Sequence, residues 1–212
     1  MFLISLDWKK PSDGVEIVPA MEALPKLLTD DDFIRGKSGR TTPISIRVTD
    51  LEAPVSIRLL NAKTKDELAS FVSRFGVLHR LGYHHDHEGE FMRMLESVRD
   101  DLEEGFELTN SGDDTARAFW AEEHLSKTTL HPSFEYSEED RRQRLVLKPA
   151  TLADLMFCEV AFALEAGAKL HRCENCGSAF LTGHMTGRRS SAIYCSDRCR
   201  VAALRAKNAK TK

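Results

Sequence analysis

No apolar run in this chain reaches about eighteen residues, the length a membrane-crossing helix needs, so a helical membrane span is not expected. Its first residues, Met-Phe-Leu-Ile-Ser-Leu-Asp-Trp, have neither the basic start nor the long apolar stretch of a secretory signal, which points to a reducing cytoplasm. Cysteine is scarce, five in 212 residues, and four of the five crowd into one short segment, which is not the distribution of a disulfide scaffold. Internal repeats are absent, and the only biased tract is an Ala/Lys-rich tail. Gly36-Lys37-Ser38-Gly39 lacks the preceding glycine of a phosphate-cradling P-loop, so nucleotide binding is not expected there. With no nucleophile triad, paired-carboxylate signature or cofactor fingerprint visible, the chain is not expected to be an enzyme.

The composition, 42% hydrophobic and 30% charged, suits one well-buried domain with a small appended module. Charge is unevenly spread. From Leu170 to Lys212 nine Lys or Arg face only Glu174 and Asp197, a balance of +7, which leaves −10 on the remainder of a chain whose net charge is −3. A basic end on an acidic body is the pattern of a segment that meets a polyanion.

The basic end holds the cysteine cluster. Cys173-Glu174-Asn175-Cys176 and Cys195-Ser196-Asp197-Arg198-Cys199 form two close pairs separated by eighteen residues. That spacing lets two tight turns each supply half of a tetrahedral Zn2+ site. Gly177 allows the chain to reverse after the first pair, while Ser196 and Asp197 are cap candidates for a helix from which Cys195 and Cys199 can share one face. Ordinary core cysteines would not fall at ligand spacing in a segment this poor in apolar residues. With four thiolates as ligands, the metal would have no open position for water, so a structural rather than catalytic ion is expected. His171 and His184 flank the cluster but are not needed to complete it. Ala179–Leu181 and Ala192–Tyr194 read as strands of an intervening hairpin, which makes the module a treble clef.

These residues, together with Arg188-Arg189, Tyr194-Cys195-Ser196 and Cys199-Arg200, resemble the C-terminal zinc finger of bacterial CGNR-type (ABATE-like) proteins. That resemblance implies a transcription regulator that binds DNA. The Gly-Asn-Arg that names the family is replaced by Arg200-Val201 after the last cysteine. A similar Cys-Ser-x-x-Cys passage into a helix is found in the small treble-clef zinc proteins that inhibit bacterial DNA gyrase, which implies a protein partner instead. The apolar helical runs beginning at Leu68 and Leu152 look like the helices that precede the finger in CGNR-like proteins.

Elsewhere the sequence predicts an α+β fold: a mainly helical body over residues 1–168 with small N-terminal β-hairpins, followed by the zinc module over 169–212. Period-two alternation predicts strands around Ile4–Trp8 and Val15–Val18, and a hairpin of Pro43–Asp50 with Val55–Leu60. Met21–Leu28 reads as a short helix interrupted by Pro25, and Thr29–Thr42 as an exposed connection. Thr64/Glu67 and Thr151/Asp154 predict capped helices, Asp113 or Asp114 a third, and a long helical stripe runs from about Gly89 to Phe106. A second hairpin is expected on either side of Ser137–Arg142. His84, His85 and His87 read as a solvated helix start, since adjacent histidines do not share one helix face.

The expected function is zinc-dependent nucleic-acid binding, through Arg188 and Arg189 on the hairpin turn and Arg198, Arg200, Arg205 and Lys207 on the last helix, with Val201 and Leu204 packed inward. The alternative is an adaptor whose basic helix docks on an acidic protein; a homodimer is compatible with either.

Overall fold

The computed structural model describes residues 3–24, 29–79, 89–137 and 141–210. The histidines at 84, 85 and 87, the tip of the second hairpin at 138–140 and the continuation of the first helix through Pro25 lie outside the described residues. The fold is α+β, but the body is not mainly helical: among the described residues seven strands in two sheets share it with six helices.

The larger sheet has the order β4-β1-β7-β6, from β1 (Leu3–Pro11), β4 (Thr41–Val48), β6 (Leu130–Ser137) and β7 (Arg142–Pro149); only the β1–β7 contact is parallel. Its inner face follows from alternation. Ile4, Leu6 and Trp8 are buried opposite Val48, Ile46 and Ile44. The other face is polar, and there Lys148 bonds to Asp7 at 3.2 Å and Glu135 at 2.8 Å, with Arg47 3.7 Å from Glu135.

The second sheet, β2-β3-β5, corrects the reading of Thr29–Thr42 as an exposed connection. Asp32–Gly36 is β3, pairing with β2 (Val15–Pro19) and β5 (Gly89–Phe91), and Phe33 and Ile34 are fully buried on opposite faces. Two adjacent apolar residues set among charges carry no period-two signal, because a strand covered on both faces needs none. The long stripe is helical only from Met92 (α4, Met92–Glu107), since Gly89–Phe91 is spent on β5.

Val55–Leu60 is helix α2, not the second arm of a hairpin. The missing cap is supplied from far away: Glu159, fully buried on α6 (Leu152–Glu165), accepts from Val55 N at 2.9 Å, Ser56 N at 2.7 Å and Ser56 Oγ at 2.6 Å. α2 buries Val55, Ser56, Ile57, Leu59 and Leu60, so its sequence shows no polar face from which a helical period could be read.

The helices with local start signals form where expected. Thr64 and Glu67 make a complete capping box for α3 (Lys65–Phe75), Asp113 accepts from Thr115 N and Ala116 N to start α5 (Asp114–Leu125), and Thr151 with Asp154 caps α6. α6 ends with Gly167 at φ +63 and paired capping bonds, Ala168 N to Ala163 O at 3.0 Å and Gly167 N to Leu164 O at 3.2 Å. That turn passes the chain straight to the segment that bears the first cysteines.

Candidate metal centre

Strands β8 (Lys169–Arg172) and β9 (Ala179–Thr182) flank the first cysteine pair in antiparallel register, Arg172 opposite Ala179. The turn between them is closed by Cys173 N to Ser178 O at 2.9 Å and Gly177 N to Cys173 O at 2.8 Å, with Gly177 at φ +72, a conformation that favours glycine. The partner of β9 is thus β8, not Ala192–Tyr194, which forms no strand; the stretch between Thr182 and Cys195 folds back through one bridge, Gly183 to Arg188.

Neither edge of this two-stranded sheet is left open. On one side Asn61 gives Nδ2 to Ala179 O at 2.9 Å and takes Ala179 N on Oδ1 at 2.7 Å. On the other, Leu170 N donates to Thr109 Oγ1 at 3.0 Å, and Asn110 Nδ2 donates to Leu170 O at 2.8 Å. Leu170, Ala179 and Leu181 also belong to the same buried apolar cluster as the body. Three polar side chains that the sequence did not single out, Asn61, Thr109 and Asn110, therefore hold the first half of the site in place; each satisfies backbone groups that would otherwise be costly to bury.

The second half sits on α7 (Asp197–Lys210). Ser196 caps it, its Oγ 3.3 Å from Cys199 N and its carbonyl accepting from Arg200 N at 3.1 Å. Cys195 and Cys199 face the knuckle across this first turn.

All four sulfurs lie within 4.8 Å of one another, and those of Cys176, Cys195 and Cys199 form a triangle with edges of 3.6 Å. A tetrahedral zinc with sulfur at about 2.3 Å requires sulfur–sulfur separations of about 3.8 Å, so the donor set fits that ion closely. Among the described residues no other group of three or more potential ligands converges in this way, and His171 and His184 take no part. His171 instead lies against the Phe180 ring at 5.8 Å.

The surroundings suit thiolates. Burial of Cys173 opposes ionisation, yet the backbone N–H groups of Cys195, Cys176 and Asn175 bring its thiol down to about 6. The Ser178 hydroxyl and N–H lower that of Cys176, whereas burial and then the sulfurs of Cys199, Cys176 and Cys173 push Cys195 up to about 12. Donors to two sulfurs and mutual repulsion at a third are the conditions that a divalent cation reconciles. Cys158 stands apart: burial, followed by Asp154 and Glu159, pushes its thiol up to about 12, as for a structural core cysteine.

The six basic residues expected to contact nucleic acid divide into two groups. Arg188 is half-buried and engaged, its Nη2 donating to Cys195 O at 2.9 Å and its guanidinium 5.6 Å from the Phe180 ring centre. Arg189, Arg198, Arg200, Arg205 and Lys207 are exposed, with Arg200 3.2 Å from Asp197 one turn earlier. Val201 and Leu204, expected to pack inward, are 37% and 55% exposed. From Val201 to Ala209 only Ala203 is even half-buried, so α7 projects from the sulfur cluster instead of lying on the body.

No family model matches this chain, and no curated protein or solved structure matches it significantly, so no family is identified. The four-cysteine cluster stands on its geometry. Among the described residues no helix is long and apolar enough to cross a membrane.

Proposed function

We propose that this chain is a zinc-dependent nucleic-acid-binding protein, a DNA-binding regulator of the bacterial cytoplasm that binds rather than catalyses. The observation that carries this reading is helix α7: it leaves the four-sulfur cluster exposed along its length and displays Arg198, Arg200 and Arg205. Zinc and four thiolates together lower the module's charge by two, which leaves about +5 on residues 170–212 against −10 on the rest. A rigid cationic helix on an acidic body orients itself toward a polyanion and repels it elsewhere. In this reading residues 169–212 form the binding module and residues 1–168 receive a signal or mediate dimerisation.

The test is anisotropy titration of the full chain against random-sequence duplex DNA over a range of salt. Five phosphate contacts give log K a slope near roughly −4.5 against log salt, and Arg200→Glu with Arg205→Glu abolishes binding. Absence of binding at low salt overturns the reading.

One observation favours a second reading. Ile193, Val201 and Leu204 expose 46%, 37% and 55% of their surface on or beside the same helix, which suits an adaptor that meets an acidic protein through mixed apolar and cationic contacts. Under that reading Leu204→Ser is as damaging as Arg205→Glu, whereas DNA binding depends on the arginines alone.

A further inference from the structure

The surface around the cysteine cluster is hollowed, and the hollows run off the module onto the body. A hollow of about 560 Å³ beside the start of α7 has Arg189, Arg200 and Tyr194 in its walls. It meets a second of about 450 Å³ along Arg188, Cys195 and Ser196. This second hollow is a cleft between module and body, floored by Phe180 and Pro54 and walled on the body side by Glu52 and Arg58. Arg58 and Asn61 in turn lead into a third, of about 210 Å³, between α2 and α3, where Arg74 lies over the Phe75 ring at 5.2 Å.

Both body arginines are exposed, and neither has an ion-pair partner among the described residues. They differ in this from Arg35, Arg47, Arg93, Arg99 and Arg117, which on a body carrying −10 all lie within 4 Å of a carboxylate. Arg188, tied to Cys195 O and to Glu52 O at 3.5 Å, forms the sill between the first two hollows and fixes their alignment. Asn61 does the same for the other two, because its side chain is locked on Ala179.

We propose that the polyanion track does not end at the zinc module: it crosses the sill and continues onto α2 and α3, where Arg58 and Arg74 hold successive phosphates of the same nucleic-acid backbone. This rests on the nucleic-acid reading above and extends it. Unpaired guanidiniums at intervals along a groove are what a phosphodiester chain engages, since each can fork two N–H groups onto one phosphate. The groove also contains three carboxylates, Asp197 in the first hollow, Glu67 in the third, and in the second Glu52, packed so that a Cβ on Gly187 would fall 2.7 Å from its Oε1. The Glu52 carboxylate weakens binding of an anion at the sill.

The experiment titrates the full zinc-loaded chain with a labelled random-sequence duplex at several salt concentrations. Arg58→Glu is expected to weaken binding about tenfold and to lower the salt slope by about 0.9; Arg58→Lys retains the slope, and Arg74→Glu acts in the same direction. Glu52→Gln is expected to tighten binding severalfold. Thermal melts and zinc content, unchanged in exposed-residue variants, separate loss of contact from loss of fold. If the unmodified chain binds with a slope of only about −4.5, the value for five module contacts, and Arg58→Glu with Arg74→Glu changes neither affinity nor slope, the extension onto the body is wrong and the module-only reading stands. If the unmodified chain does not bind at low salt, the functional reading itself fails.

Discussion

The body and the segment after Thr182 are ordered by different physics. Leu95, Leu102 and Phe106 on α4 interlock with Leu155, Met156 and Val160 on α6, all fully buried or nearly so, and each side chain of that size contributes roughly 1.5–3 kcal/mol when removed from water. Between Gly183 and Ala209, by contrast, Thr186 is the only buried residue. What positions that segment is polar: the sulfur cluster, the Ser196 cap, the Arg188 bond to Cys195, and the bonds of Leu51 N to Met185 O at 2.8 Å and Glu174 N to Ile193 O at 3.1 Å. Such an arrangement leaves α7 exposed to solvent from Val201 to Ala209 except at Ala203, which a helix held by an apolar stripe cannot be.

The largest effect should follow from breaking the cluster. Chelation of zinc, or Cys176→Ser, is expected to abolish hydrogen-exchange protection throughout residues 183–210, since metal binding and folding of so small a segment are one process. Protection in α4 and α6 should survive. β8 and β9 are expected to follow the body, because Asn61, Thr109, Asn110 and the shared core hold them without help from sulfur. Equal loss in both regions on chelation would show that the two are not separately ordered.

The converse perturbation lies in the core. Leu102, fully buried, should cost about 2–5 kcal/mol when changed to alanine, read as a lower thermal midpoint. Zinc content at a temperature where both proteins are folded should remain one ion per chain. A variant that loses metal in proportion to stability would mean that the cluster depends on the body more closely than the contacts imply.

What was legible in the sequence follows the same division. Ligand spacing, the capping boxes at Thr64 and Thr151 and the Asp113 cap are local, so a short window contains both partners of each interaction. At α2 the sequence predicts a strand, because its cap, Glu159, is 104 residues from Val55 and because Val55, Ile57 and Leu59 alternate as a strand would. β3 was hidden by its brevity between charges. The apolar content of Ala192–Tyr194 points to it as the partner of β9, although Leu170 stands opposite Leu181 and His171 opposite Phe180 across the first cysteine pair. Inward packing of Val201 and Leu204 assumed that an apolar residue on a helix has a core to meet. In a segment held by a sulfur cluster it need not.

The smallest expected effect, and the one that tests how α2 is held, is a pH dependence confined to the body. Burial lifts the Glu159 carboxyl to about 7, against the opposing pull of the Ser56 hydroxyl and the Ser56 and Val55 N–H groups. In the unfolded chain the same group titrates near its ordinary value of 4.5, so between that pH and about 7 the folded state holds a proton that the unfolded state has lost. Stability from this group is therefore fully present below pH 4.5 and declines as pH rises through about 7, by on the order of 3 kcal/mol or less. Glu159→Gln cannot lose a proton there, so its thermal midpoint should be lower at pH 5, where an amide faces N–H donors, but should no longer fall between pH 5 and 8. The difference between the two profiles isolates this carboxyl from every other titrating group. A wild-type slope that persists in the glutamine variant would place the pH dependence elsewhere, and would leave the α2 cap as a hydrogen-bonded carboxylate that is ionised throughout.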